Sequence, residues 1–113
     1  MMVDAFLPSL AASVTIAVGA ASTTTTLPIV AASAVTSFRQ GGEYLELNNT
    51  GTVDVFIETC SSSSVIPATV AASYPVRAGQ CKIIRRAPGD NVITTIGAAA
   101  GPTNLIVSVG NGI

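Results

Sequence analysis

Polar and apolar positions alternate most cleanly over residues 43–59, EYLELNNTGTVDVFIET. Leu45 and Leu47 share one parity and Tyr44 and Glu46 the other; further along, Val53, Val55 and Ile57 oppose Asp54, Phe56 and Glu58. A period of two is that of a half-buried strand, and a helix would scatter the same residues around its axis. Between the runs, Asn48, Asn49, Thr50 and Gly51 supply turn chemistry, with Gly51 able to take positive φ. The pattern predicts an antiparallel hairpin, with the rest of the chain organised around it.

Residues 1–12 have no clear period, contain Pro8, and hold Phe6, Leu7 and Leu10 with little to pack against locally, which predicts an extended N-terminal arm. Such an arm either folds back on its own domain or lies across a neighbouring subunit. The second is favoured, since the strands already pair their own apolar faces. Val14, Ile16 and Val18 then alternate in a first strand ending at Gly19, and residues 23–29 form a Thr-rich second strand that ends near Pro28. Residues 30–42 read as a loop of small residues, 61–64 as a solvated serine loop and 65–72 as a weak strand. Residues 74–79 are a turn-forming approach to a strand over 80–86; the turn at 87–91, with Pro88 and Gly89, leads into a strand over 92–96, a second hairpin. Another turn over 97–103 precedes a strand over 104–109 that aims Leu105, Val107 and Val109 at the core. Seven to eight short strands spaced roughly 8–12 residues apart predict an all-β chain. The expected architecture is one antiparallel β-sandwich over residues 13–113, jelly-roll or Ig-like in strand order.

A length of 113 residues fits one such domain and is too short for two. Charged residues make up 10% of the chain and the net charge is -1, so there is no basic surface for a run of phosphates, and no direct nucleic-acid partner is expected. The mean hydropathy of +0.61 comes from Ala, Val and Ile in short runs. None reaches the roughly 18 apolar residues of a membrane span, and the composition instead suits a surface covered by other subunits. A cleavable secretory signal is disfavoured, because the first basic residue is Arg39 and Asp4 is the only early charge.

Candidate chemistry is sparse. The chain has no histidine, which removes the commonest general base, the Ser-His-Asp and Cys-His arrangements and the usual zinc ligand. Asp54 and Glu58 share a strand parity but stand four positions apart, roughly 13 Å in extended chain, and read as a solvated face. Glu43 and Glu46 have opposite parity. Cys60 and Cys81 are either a disulfide or two ordinary buried thiols, and without histidine they cannot complete a four-ligand zinc site. No glycine-rich phosphate-binding motif occurs, and Asn48-Asn49-Thr50, formally a glycosylation sequon, is also explained by the turn. Lys82, Arg85 and Arg86 are the one basic cluster, serving either to keep a strand edge soluble or to pair with acidic groups on a partner. No catalytic set, metal site, cofactor or small-molecule substrate is expected.

Three stretches carry a family likeness: LELNNTGTVDVFIET, YPVRAGQCKIIRRAPGDNVITTIGAAAG and TNLIVSVGNGI. From Arg39 onward the layout resembles a family of small tailed-bacteriophage virion proteins. Asn48 and Gly51 match its Asn-x-x-Gly turn, Val55, Phe56 and Ile57 its following strand core, Pro75 and Gly79 its Pro-x-x-x-Gly approach, and Gly110 and Gly112 its closing Gly-x-Gly. The strands over 14–29 fit its less regular leading part. Cys60 departs from the pattern, where a small residue or Gly more usually ends the strand. The resemblance implies a non-enzymatic virion component, foremost a cement or decoration protein on the capsid surface, assembled in the host cytoplasm. It would bind the major capsid protein and itself, as trimer or dimer. A head-to-tail connector or a tail- or fibre-associated component is the alternative within the particle. A carbohydrate- or surface-binding β module is the alternative outside it, poorly served by a chain with no Trp, 2 Tyr and 3 Phe.

Overall fold

In the computed structural model, residues 6–27, 44–87, 89–99 and 103–112 are described, with backbone alone over 6–12 and at 111 and 112. They form β1 (Phe6–Val18), β2 (Thr23–Thr26), β3 (Tyr44–Asn49), β4 (Val55–Cys60), β5 (Tyr74–Val76), β6 (Cys81–Arg85), β7 (Val92–Gly97) and β8 (Thr103–Gly112). There is no helix among the described residues. The strands hydrogen-bond as two four-stranded antiparallel sheets, β1-β8-β3-β6 and β2-β7-β4-β5.

Alternation along each strand sends one parity inward. In the first sheet Leu47 lies opposite Val107, and Leu45 opposite both Val109 and Ile84, so their side chains stack on one face. That face meets Val55, Ile57, Val76 and Ile93 of the second sheet, and together with Ile16, Val18, Leu27 and Leu105 they make one buried cluster. Each such aliphatic contributes roughly 1.5–3 kcal/mol by leaving water, so the cluster is the main apolar support of the sandwich. The core expected from sequence at Leu45, Leu47, Val55, Ile57, Leu105, Val107 and Val109 is fully or almost fully buried. Val53 is not part of the cluster: β4 begins at Val55, and Val53 sits half-buried in the link before it.

The expected hairpins are absent. β3 lies between β8 and β6 in one sheet, while β4 lies between β7 and β5 in the other, so residues 50–54 arch from sheet to sheet. The turn after β6 likewise crosses to β7 in the opposite sheet. That turn has the expected chemistry, with Gly89 at φ 89 and the Asp90 N–H donating to Ala87 O at 3.1 Å, but it joins layers and not ladder neighbours. The physical reason is that both strands of each pair carry apolar residues for the same core, and facing layers bury both sets where a lone hairpin would bury neither. Among the described residues, only β4 and β5 are both consecutive in the chain and directly paired. Residues 74–76, expected as a turn, are the short strand β5, and 65–72, expected as a weak strand, are not a strand.

β1 runs through the segment that the sequence assigns to an arm. The backbones of Phe6, Leu7 and Pro8 pair with Gly112, Asn111 and Gly110, and after an irregularity the ladder resumes with Ser13 opposite Ser108. Residues 1–5 and the loop at 30–42 lie outside the described residues.

The sheet-to-sheet arch is organised by one side chain. Asn49 falls on the inward parity of Leu45 and Leu47 and is fully buried. Its Nδ2 donates to Val53 O at 2.9 Å and to Val76 O at 3.0 Å; its Oδ1 accepts from the Gly51 N–H at 3.0 Å and from Thr103 Oγ1 at 3.2 Å. Its backbone is also used, the N–H donating to Gln80 O and the carbonyl accepting from the Gly79 N–H, both at 2.9 Å. Gly51 is required by the close approach of β8: a Cβ there would run into the Thr103 side chain and stand 2.8 Å from its Cα.

The outer face of the second sheet is covered by residues 61–73, a strap between β4 and β5. Thr94 Oγ1 donates to Ile66 O at 2.7 Å, the Ile66 N–H to Cys60 Sγ at 3.4 Å, the Ala68 N–H to Ser22 Oγ at 3.1 Å and Ser73 Oγ to Glu58 Oε2 at 2.8 Å. Ala68 of the strap is buried, and so is Phe56 of β4, on the parity expected to face solvent.

Asn49→Leu keeps the volume but strands the Val53 and Val76 carbonyls and the Gly51 N–H. At roughly 1–3 kcal/mol for each group left unsatisfied, the loss should be about 3 kcal/mol or more in urea denaturation. Asn48→Ala, one residue away on the half-buried outer parity, should cost less than about 1 kcal/mol. Equal midpoint shifts for the two variants would remove Asn49 from this role.

Candidate functional site

Of the residues expected to meet a partner, the basic ones are divided between two faces of a strand. β6 is an edge strand of the first sheet, and its alternation separates the basic cluster. Cys81, Ile83 and Arg85 are exposed on the outer face, while Lys82 and Ile84 are half-buried on the inner side. Lys82 reaches across the open edge between the sheets: its Nζ donates to Pro75 O at 3.1 Å and stands 4.5 Å from the Tyr74 ring centroid. The butylene stem and the ammonium thus close the sandwich beside β5, where Pro75 removes a ladder donor. Arg86, just past β6, is half-buried; burial lowers its pKa and the Asp90 carboxylate opposes that shift. Of Phe6, Leu7 and Leu10 the structure gives the backbone position in β1 and nothing of the side chains.

Asp54 and Glu58 are both held by structural hydrogen bonds. Asp54 precedes β4 and accepts from the Ala78 N–H and from the Arg77 guanidinium, each at 2.9 Å, which ties the arch to the turn before β6. Glu58 takes the Ser73 hydroxyl and so fastens the strap. Among the described residues no group of three or more His, Cys, Asp and Glu is placed to hold a metal ion. Nor is any helix there long and apolar enough to cross a membrane.

The cysteines are both free. Cys60 is buried at the end of β4 and accepts the Ile66 N–H, whereas Cys81 is exposed at the start of β6, contrary to the expectation of two buried thiols. Its pKa is raised, by desolvation first and by the neighbouring Glu46 charge second, so the thiol is protonated at neutral pH and not poised for nucleophilic attack.

The surface feature missed by sequence reasoning is the strap. Val65, Ile66 and Val70 are 45%, 50% and 46% exposed, on a segment fixed to the sheet beneath it. Its signal in the sequence is an apolar stretch directly after the serine run, without the alternation that would bury one face. Comparison with known proteins finds no matching family model, no matching curated protein and no matching solved structure.

Asp54 also fixes a pH dependence. The Ala78 N–H, then the Arg77 guanidinium, hold its carboxyl below the ordinary value of 3.8. The folded state therefore binds this proton more weakly than the unfolded chain. The stabilisation is complete above the unfolded value and is lost as pH falls through the folded one. Asp54→Asn should melt below the wild type at about pH 6, with the gap closing as the pH drops below about 4. A gap that stays constant down to about pH 2 would show that the ionised carboxylate contributes nothing.

Proposed function

We propose that the protein is a non-enzymatic structural component of a tailed-bacteriophage particle, a cement or decoration protein on the capsid surface that binds the major capsid protein and stabilises the shell. The observation that carries this reading is the strand order. β1 pairs with β8, β2 with β7, β3 with β6 and β4 with β5, the pairing of one long antiparallel ribbon folded in half. Rolled so that its pairs alternate between two layers, such a ribbon gives β1-β8-β3-β6 over β2-β7-β4-β5. This supports a jelly roll over an Ig-like sandwich, in which several consecutive strands pair directly.

Jelly rolls recur in viral capsid proteins, lectins and cupins. A chain without histidine lacks the imidazole ligands of a cupin-like metal site, and the shortage of aromatic platforms argues against a lectin: Tyr74 is already covered by Lys82. A capsid role needs neither. It needs a rigid, weakly charged sandwich, and the resemblance of the three sequence stretches points the same way. Fold-level analogy is one part of this reading and the sequence likeness the other.

Particles of the virus that encodes the chain, purified by density gradient, should carry the protein at a copy number near that of the shell subunit. Immunogold label should be spread over the capsid, and a virus deleted for the gene should release its genome at a lower temperature. A copy number far below the shell subunit's, with label confined to the neck or tail, would replace the decoration role with a connector or tail role.

A further inference from the structure

The strap is fastened in a way that no strand is. Among the described residues, no hydrogen bond from main chain to main chain joins 62–72 to anything outside the strap. Those that cross run through side chains: the Ser62 N–H donates to Asn91 Oδ1 at 2.8 Å, the Ile66 N–H to Cys60 Sγ, the Ala68 N–H to Ser22 Oγ and Thr94 Oγ1 to Ile66 O, with Ser73 Oγ on Glu58 Oε2 at the far end. Within itself the strap is closed by main-chain bonds, from the Ser64 N–H to Ser61 O and from the Ser73 N–H to Thr69 O. Its own burial is small, since Val65, Ile66 and Val70 already meet water and Ala68 is its one buried aliphatic. What it covers stands outside the core. Cys60 is 3% exposed yet does not belong to the core cluster, and the fully buried Thr94 lies directly opposite Thr24, which is open to water on the same sheet face. The cover, and not depth in the sheet, therefore hides Thr94, and lifting it leaves the apolar cluster between the sheets untouched.

We propose that the strap is a latch: residues 61–73 open as one unit while both sheets stay folded, and the side-chain ties to Glu58, Cys60 and Thr94 set how often they do so. A segment held by a few side-chain bonds and little buried apolar surface opens at a lower free energy than the ladders around it. Cys60 is the group that the opening uncovers. In the closed state its sulfur is buried against the Ile66 N–H; with the strap lifted, that contact is gone and the thiol meets solvent. The outer face of the second sheet is then as open at β4 and β7 as it already is at β2, where Thr24 and Thr26 are exposed. The latch makes no use of the virion role, so either can fail without the other.

The full chain carrying Cys81→Ser keeps Cys60 as its one thiol, and an excess of an aromatic disulfide reagent at about pH 8 reads its exposure. The Cys60 thiolate attacks the reagent's disulfide, forms a mixed disulfide with one half and releases the other half as a coloured thiolate, the thiol proton passing to buffer. Without denaturant, labelling should be at least about 100-fold slower than for the unfolded chain. Its logarithm should rise with urea at less than about one third of the slope that global unfolding gives, because little surface is exposed when only the strap moves. Ser73→Ala and, separately, Thr94→Val should each speed labelling about tenfold or more while the shallow slope is kept. Val107→Ala, in the core of the first sheet, should lower the urea midpoint of unfolding and leave the labelling rate without urea within about twofold. Labelling with the full global slope, or a Val107→Ala variant that labels as much faster as Ser73→Ala does, would show that Cys60 is reached only by unfolding of the whole domain and overturns the proposal. Labelling as fast as in the unfolded chain, or a rate that neither Ser73→Ala nor Thr94→Val changes, overturns it too, since the strap would then not be what guards the thiol.

Discussion

Six hydrogen bonds converge on Asn49, four through its amide and two through its backbone, and they reach both sheets. A sandwich has no ladder between its layers, so what keeps one sheet in register over the other is normally shape alone. Here a single primary amide supplies directional contacts across that gap, to Val76 in the second sheet and Thr103 in the first. Its donors and acceptors are all used, which is the condition under which a buried polar group specifies a structure instead of weakening it. Gly51 follows from the same arrangement, since the arch that Asn49 holds passes directly against β8.

Away from this hub, the two sheets are treated differently. The first keeps a mixed, uncovered outer face that includes the Ser13–Ser108 pair at 2.8 Å as well as Cys81, Ile83 and Arg85. The second is roofed by the strap, so β7 is buried through Val92, Ile93, Thr94 and Thr95 in succession and not on alternate positions. Threonine suits that environment: its methyl packs while its hydroxyl finds a partner, Ile66 O for Thr94 and Thr23 for Thr95. The sandwich is thus two sheets with the strap as a third layer over one of them, and Val65, Ile66 and Val70 carry apolar surface on the strap where the sheet beneath is covered.

Strand faces are legible in the sequence because a period of two needs only one buried side: Leu45, Leu47, Leu105, Val107 and Val109 declare it plainly. Strand partners are not. An Asn-Asn-Thr-Gly link closes a hairpin and spans two layers with the same residues, and the alternation on either side is identical in both cases. Asn49 itself is found by continuing the parity of Leu45 and Leu47 one step, provided polarity is not taken as a sign of exposure. Charge groups Lys82 with Arg85 and Arg86, whereas parity separates it from Arg85 and sends it inward to Pro75. The strap cannot be read as a cover from sequence, because what it covers is built from segments far away in the chain.

The pairing of β1 with β8 has a kinetic side. Ser13 and Ser108 are bonded across 95 positions of sequence, and β1 has no other strand beside it among the described residues. β1 is synthesised well before β8 and must therefore wait for its partner until β8 has been made. A ribbon closed from its far ends rewards its loop-closure entropy only late, which places such folds among the slow, millisecond-to-second class. During that interval β1 is a long uncharged strand with both edges open, able to pair with the same strand of another nascent chain. High-level synthesis of this protein is then a race between β8 and a neighbour's β1, in which crowding of nascent chains favours the wrong partner.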